Sequence, residues 1–252
     1  YNLSGYTAHF EQVLSSISFL YLIAVLILTM RSVAEEKKQK TDQLLYSLPL
    51  RTGQVVLGKY LALLTVAALA CALFAAYPLV LGRFGTVNYA SSYTGLFGYF
   101  CLCAALLAMG VFASSLTENQ VVAAVIGLGL MLAGFLMSSL SAYLPATGFA
   151  SLCALWAAAV ALGLIVWALT RSSLFGAAVG AAGVLLTGAV YFFNTSVFEG
   201  LVQTLLKQGS VFDRFYLMIM GTLDWTTVFF DLSVTAVFLF FTVQSMEKRR
   251  WS

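Results

Sequence analysis

The sequence predicts an all-α, polytopic membrane protein, and three observations carry that prediction. Of its 252 residues, 61% are hydrophobic and only 9% are charged, where a water-soluble domain carries about 25% charged residues. The mean hydropathy is +0.94. The apolar residues gather in runs of about 20, the length at which a helix crosses the roughly 30 Å hydrocarbon layer. Those runs lack the polar and apolar alternation of barrel strands, which leaves helices as the spanning elements. A water-soluble domain is excluded. The formal charge of +3 is too small to point to nucleic acid, and no basic cluster is interleaved with stacking aromatics.

Seven runs mark the spans, at roughly 13–30, 55–82, 94–113, 121–143, 148–170, 174–193 and 225–244. The first is uncharged and ends where Arg31 opens a charged stretch at 31–54. The second carries only Lys59, near its start. The third to sixth are uncharged and are separated by short polar links near 83–93, 114–120, 144–147 and 171–173. A longer mixed segment at 194–224 precedes the seventh, whose one acidic residue is Asp231. No internal repeat is visible, so the spans are expected to form a single transmembrane domain over 1–252.

Lys and Arg set the orientation, because they are retained on the cytoplasmic side. Arg31, Lys37, Lys38, Lys40, Arg51, Lys59, Arg171, Lys248, Arg249 and Arg250 fall on one side; Arg83, Lys207 and Arg214 fall on the other. The loop at 31–54, the turn at 114–120 and the C-terminus are therefore expected in the cytoplasm, and the segment at 194–224 outside. The localisation that follows is a multi-pass protein of the plasma (inner) membrane. An outside N-terminus without a signal peptide, starting at Tyr1, predicts one further span upstream and eight in all.

The charged stretch is the most patterned part of the chain. Thr41 is placed to cap a short helix, Leu44, Leu45 and Leu48 recur at helical spacing as one apolar stripe, and Pro49 stops it. Two readings stand side by side. The helix lies among lipid headgroups, with Lys37, Lys38 and Lys40 toward anionic lipid, or its leucines fill a groove in a soluble partner and pass that partner's movement to the flanking spans.

Gly53-Gln54-Val55-Val56-Leu57-Gly58-Lys59 matches the opening of a phosphate-binding loop. The match is rejected, because Tyr60 stands where Ser or Thr should hold magnesium, no strand precedes it, and a membrane span follows. Gly53 and Gly58 are instead expected to give flexibility and close packing where the chain re-enters the membrane. At 114–120, Thr117 and Gln120 form a T-x-x-Q capping box with Glu118 at the positive end of the next helix. A partner contact by Glu118 or Asn119 is the less favoured reading.

Candidates for chemistry are few. Asp224 and Asp231 lie seven apart, on one face in the outer part of the last span where water reaches them, which favours a gating or structural role over proton coupling. His9 is the only histidine, so metal clusters and His-dependent catalysis lack a partner set. Cys71, Cys101, Cys103 and Cys153 sit in apolar runs as small hydrophobes, and neither a disulfide nor a metal site is expected. The chain is not expected to be an enzyme by itself, to carry a cofactor or to bind ATP. Gly176 and Gly180, followed by Gly183 and Gly188, allow close helix approach, read as packing within the chain. Tyr93, Tyr99, Trp225 and Trp251 suit the interfacial aromatic belt.

Several blocks carry a resemblance: Leu28-Thr29-Met30-Arg31, Ala34-Glu35-Glu36, Lys40-Thr41-Asp42-Gln43-Leu44-Leu45, Leu48-Pro49 and Val56-Leu57-Gly58-Lys59-Tyr60-Leu61-Ala62. Ser114 to Gln120 and the stretch from Gly221 through Asp224 to Trp251 agree with them. Together they resemble the permease subunits of type-2 ABC transporters, most closely the gliding-motility-associated permease family. The resemblance implies a span upstream of Tyr1 and a coupling helix ending at Pro49. It also implies that Glu35, Glu36, Thr41, Leu44, Leu45, Leu48 and Pro49 face a separate ATPase subunit. The family core has six spans, and the pair near 148–193 is additional. The expected function is that of a permease subunit which pairs with a second permease subunit and with ABC ATPases, moving substrate by export. The alternative is an ATP-independent secondary transporter or lipid-interacting scaffold. An intramembrane enzyme is disfavoured because no catalytic set assembles.

Overall fold

A computed structural model describes residues 10–41, 50–83, 86–170 and 173–250. Eleven α-helices are found among them. They are α1 (Phe10–Thr29), α2 (Ala34–Gln39), α3 (Thr52–Ala75), α4 (Tyr77–Leu81), α5 (Tyr89–Ser115), α6 (Gln120–Tyr143), α7 (Gly148–Thr170), α8 (Ser173–Phe193), α9 (Leu201–Gly209), α10 (Val211–Ile219) and α11 (Trp225–Arg250), with a 3₁₀ turn at Thr195–Phe198. The described residues contain no strand. In lipid a helix satisfies its own backbone groups, so this outcome follows from the apolar runs.

Every predicted span corresponds to a helix. Five stretches are long and apolar enough to cross a membrane: Val13–Gln39, Thr52–Leu81, Tyr89–Ser115, Gln120–Met137 and Trp225–Lys248. The other two, near 148–193, appear as shorter apolar segments, Gly148–Val160 and Gly180–Phe192, within helices of 23 and 21 residues.

The chain divides into two compact units, one comprising Tyr1–Phe135 with Val211–Ser252 and the other Leu136–Ser210. In the first, α1, α3, α10 and α11 pack around α5. The most apolar stretch of α5 is 72% buried, against 33%, 17%, 17% and 28% in the other four spans, in chain order, which makes α5 the central post. Its small residues let neighbours approach. A Cβ added at Gly98 would stand 2.9 Å from Met218 Cβ on α10, and one at Gly110 only 2.1 Å from Thr29 Oγ1 on α1. The sequence leaves 194–224 as a mixed segment, yet Val211, Phe212, Phe215 and Met218 form one buried stripe on α10. Around them Tyr21, Phe74, Tyr99 and Phe215 join in an aromatic cluster, with ring centroids 4.4, 6.3 and 5.9 Å from Tyr99.

In the second unit α7 and α8 pair along their length. Gly180 and Gly183 of α8 lie against Ala159 of α7, and Gly188 meets Trp156. The glycine spacing thus serves helix packing inside the chain. Gly200 N–H donates to the Ala146 carbonyl at 3.1 Å, and Gln203 Nε2 donates to the Leu144 carbonyl, which ties α9 to the start of the hairpin.

Several local expectations need correction. Gly53 and Gly58 lie within α3 with nothing within 4 Å of an added Cβ, so close packing is not what they provide. Tyr99 is no interfacial residue but fully buried, because Tyr21, Phe74 and Phe215 of three neighbouring helices pack around its ring. The cap of α6 is Asn119, whose Oδ1 accepts from Val121 N–H at 2.9 Å, while Thr117 Oγ1 accepts from Asn119 N–H at 3.2 Å. The helix starts too late for a capping box at Thr117 to reach it, and Asn119, directly before its first residue, takes the role.

Candidate functional site

The charged stretch folds into a polar junction that four elements of the first unit share. Below Thr29 the chain turns and enters α2, a helix of 6 residues with Glu35 and Glu36 in its first turn, where acidic groups suit the positive helix end. Its N-cap position is Val33, which has no side-chain cap of its own. The missing acceptor comes from α5. Ser114 Oγ, fully buried, accepts from Val33 N–H at 3.1 Å and Ala34 N–H at 3.0 Å and donates to the Met30 carbonyl at 3.1 Å. One hydroxyl thus meets three backbone groups that a short buried helix would otherwise leave unpaired.

The other end is closed by Lys40, in the left-handed region at φ 58°, which turns the chain so that Thr41 N–H returns to the Glu36 carbonyl at 3.1 Å. Thr41 Oγ1 donates to the same carbonyl at 3.3 Å. Thr41 therefore terminates α2. The helix it is expected to begin, with Leu44, Leu45, Leu48 and Pro49, lies outside the described residues.

Two lysines fix α2 from either side. Lys37 is buried at 4% exposure, and its ammonium donates to the carbonyl of Ser115, the last residue of α5. That carbonyl is a free helix-end acceptor at the negative pole of α5, a site that favours a cation. Ser245 Oγ of α11 donates to it as well, at 3.1 Å. On α3, Lys59 pairs with Glu36 and donates to the Ser32 carbonyl at 2.8 Å. Val33, Val56, Val111 and Met246 form an apolar cluster that joins the same four elements.

The structure thus brings Glu35 and Glu36 together in the first turn of one short helix and places Thr41 just past its end. Glu35 accepts from Gln39 Nε2 at 3.3 Å, and Glu36 is held by Lys59. What sequence reasoning missed is that Lys37 faces inward while Lys38 and Lys40 are exposed. The available signal is spacing, since Ala34 and Lys37 are three apart and share the buried face of α2. Lys59, the lysine of the discarded phosphate-loop match, lies on a continuous helix. No loop of backbone amides surrounds it to cradle a phosphate.

Away from the junction, the two aspartates of the last span have separate environments. Asp224 caps α11, its carboxylate accepting from Thr226 N–H at 3.0 Å, Thr226 Oγ1 at 2.5 Å and Thr227 Oγ1 at 3.1 Å. The Thr226 hydrogen bonds hold its carboxyl below the usual carboxylate range. Asp231 departs from the expectation that water reaches it. It is 2% exposed, and neither carboxylate oxygen has a hydrogen-bond partner among the described residues, because α11 turns this face inward. Arg214 on α10 lies 4.1 Å over the Phe230 ring. No group of three or more His, Cys, Asp or Glu able to hold a metal occurs among the described residues.

No curated protein and no solved structure matches the chain significantly. A family model described as "ABC-2 family transporter protein" matches residues 1–149, a stretch that contains the polar junction up to Ser115 and more than half of the 252 residues. With its bundle of apolar helices and this match, the chain belongs to the ABC-2 family of transporters, as a multi-pass membrane permease.

Proposed function

We propose that this permease is the membrane subunit of an ATP-driven exporter, in which separate ABC ATPases bind the loop at 31–54 and a second permease subunit completes the path. Within the family, the gliding-motility-associated permeases are the relatives whose motifs it resembles. The contact surface is built from Glu35, Glu36, Thr41, Leu44, Leu45, Leu48 and Pro49. The loop, the turn at 114–120 and the end of α11 face the cytoplasm, and the whole of 1–252 acts as one permease domain. ATP comes to the complex on the partner.

The observation that carries this reading is the polar junction. The described start of the charged loop is anchored on α5 by the buried Lys37–Ser115 bond and on α3 by the Lys59–Ser32 bond, and α11 meets the same Ser115 carbonyl through Ser245, so displacing it would displace spans. The test is purification from native membranes through a tag after Ser252, with mass spectrometry of what accompanies it, alongside the variant Leu45→Asp. An ABC ATPase at near-equal stoichiometry is expected, together with ATP hydrolysis that Leu45→Asp separates from transport while the spans stay folded. Reproducible absence of an ATPase from folded protein would transfer the reading to the ATP-independent secondary transporter, with buried Asp231 as its first residue to examine.

A further inference from the structure

We infer that Lys37 is a transmission residue, through which movement of the ATPase-facing loop reaches the ends of α5 and α11. The inference rests on the reading that this loop meets an ATPase. A lysine in a charged loop beside a membrane keeps its ammonium in water or among headgroups. Lys37 does the opposite. Its neighbours Lys38, Gln39 and Lys40 are exposed, whereas Lys37 passes under α2 and ends on the Ser115 carbonyl.

The geometry of that contact makes it a link rather than a decoration. The acceptor terminates the most buried helix of the first unit, and the same oxygen receives Ser245 Oγ from α11. Lys37 therefore touches one atom that two spans have in common. Ser114, one residue earlier, holds the start of α2 through two amides, so α2 is fastened to the end of α5 at both its first residue and its fourth. Sliding α2 while α5 stays still would break the Lys37–Ser115 bond and take the Val33 and Ala34 amides off Ser114 Oγ, which is the costly outcome. Moving α5 with α2 keeps every bond. Lys59 does not perform the same service, because its bonds to Ser32 and Glu36 join that segment to α3 and not to α5 or α11.

A test that separates this role from simple stability uses the complex with its ATPase in lipid vesicles. Cys153, the exposed thiol, is first replaced by Ser. Single cysteines at Lys40, Leu116 and Lys248, all exposed, then carry an environment-sensitive fluorophore, one per sample, and the response to ATP with vanadate is recorded. In the otherwise unchanged chain all three positions are expected to respond. Lys37→Met should keep ATP hydrolysis and the response at Lys40 and lose most of the response at Leu116 and Lys248; Lys37→Arg, which retains a donor cation, should restore part of it. Undiminished responses at Leu116 and Lys248 in Lys37→Met would overturn the inference, as would a Leu116 position that never responds while Lys40 does. If Lys37→Met does not assemble, Ser245→Ala decides: loss at Lys248 with Leu116 unaffected supports the shared carbonyl as the branch point, and an unaltered Lys248 response overturns it. Silence at all three positions in a complex that hydrolyses ATP overturns the loop's coupling role and the inference with it, whereas a moving Lys40 preserves the former.

Discussion

Asp224 shows how much a single side chain can organise at the mouth of a span. Its carboxylate meets one amide and two hydroxyls within four residues, so the first turn of α11 is sealed before the helix enters lipid. The depressed pKa fixes the sign of the pH effect: the cap's contribution is present above the ordinary carboxylate value and is lost as pH falls through the still lower folded one. Thermal unfolding in detergent should therefore show a stability loss at the acid end, below about pH 4, that Asp224→Asn lacks. Equal acid sensitivity in the two proteins would assign it to other groups. Residue-scale roles were unevenly legible. Asp224 was visible as an acidic residue before an apolar run, but its capping geometry was not. Lys37 was hidden because Lys37, Lys38 and Lys40 form one basic run whose members differ only in the direction a short helix gives them. Tyr99 misled because an aromatic near a predicted span end reads as interfacial until its neighbours are known.

At the scale of elements, length and apolarity were enough to place the long helices, since a run of about 20 apolar residues has few alternatives in lipid. α10 was not legible in that way. It is 9 residues long, and Asp213 and Arg214 interrupt the apolar run in sequence while the stripe that packs on α5 stays continuous on the helix. The cap of α6 was misplaced by two residues, because Thr117 Oγ1 takes the Asn119 N–H in the turn before the helix and Asn119 Oδ1 takes the Val121 N–H of its first turn. Helix contacts depend on where side chains are absent. Gly110→Ala would place a methyl group against Thr29 Oγ1, Cβ and Cγ2 at 2.1, 2.7 and 3.0 Å, and a cost of about 1–3 kcal/mol is expected from forced overpacking. Gly129, which has nothing within 4 Å of an added Cβ, is the control: Gly129→Ala should be neutral or stabilising by up to about 1 kcal/mol. Paired thermal unfolding curves check the contrast, and equal effects at the two glycines would remove the close approach of α1 and α5 as its cause.

For the whole molecule, the grouping of charges along the sequence anticipated which loops share an end of the first unit. Lys37, Lys59, Ser115 and Ser245 meet there, bringing together parts of the chain that the Lys and Arg distribution assigned to one side. With that end in the cytoplasm, a membrane-impermeant maleimide on intact cells should modify Met220→Cys, at a position 79% exposed, and should reach Leu116→Cys only after permeabilisation, both in a Cys153→Ser background. The reverse pattern would invert the orientation. The division into two units could not be read from the sequence, because the boundary at Phe135 falls inside one uncharged run at 121–143 that forms a single continuous helix.

That division also sets a timetable for biosynthesis. The first unit is discontinuous: α5 emerges from the ribosome well before α11, and the whole of Leu136–Ser210 is made in between. Until α11 arrives, the flank of α5 that α11 covers lacks that helix, and the Ser115 carbonyl lacks its bond from Ser245. Such sequence-distant closure is slow, and the interval before it is when an incomplete bundle is open to recognition by quality-control proteases. The central helix is thus the first secure element of the finished permease and the most vulnerable one of the nascent chain.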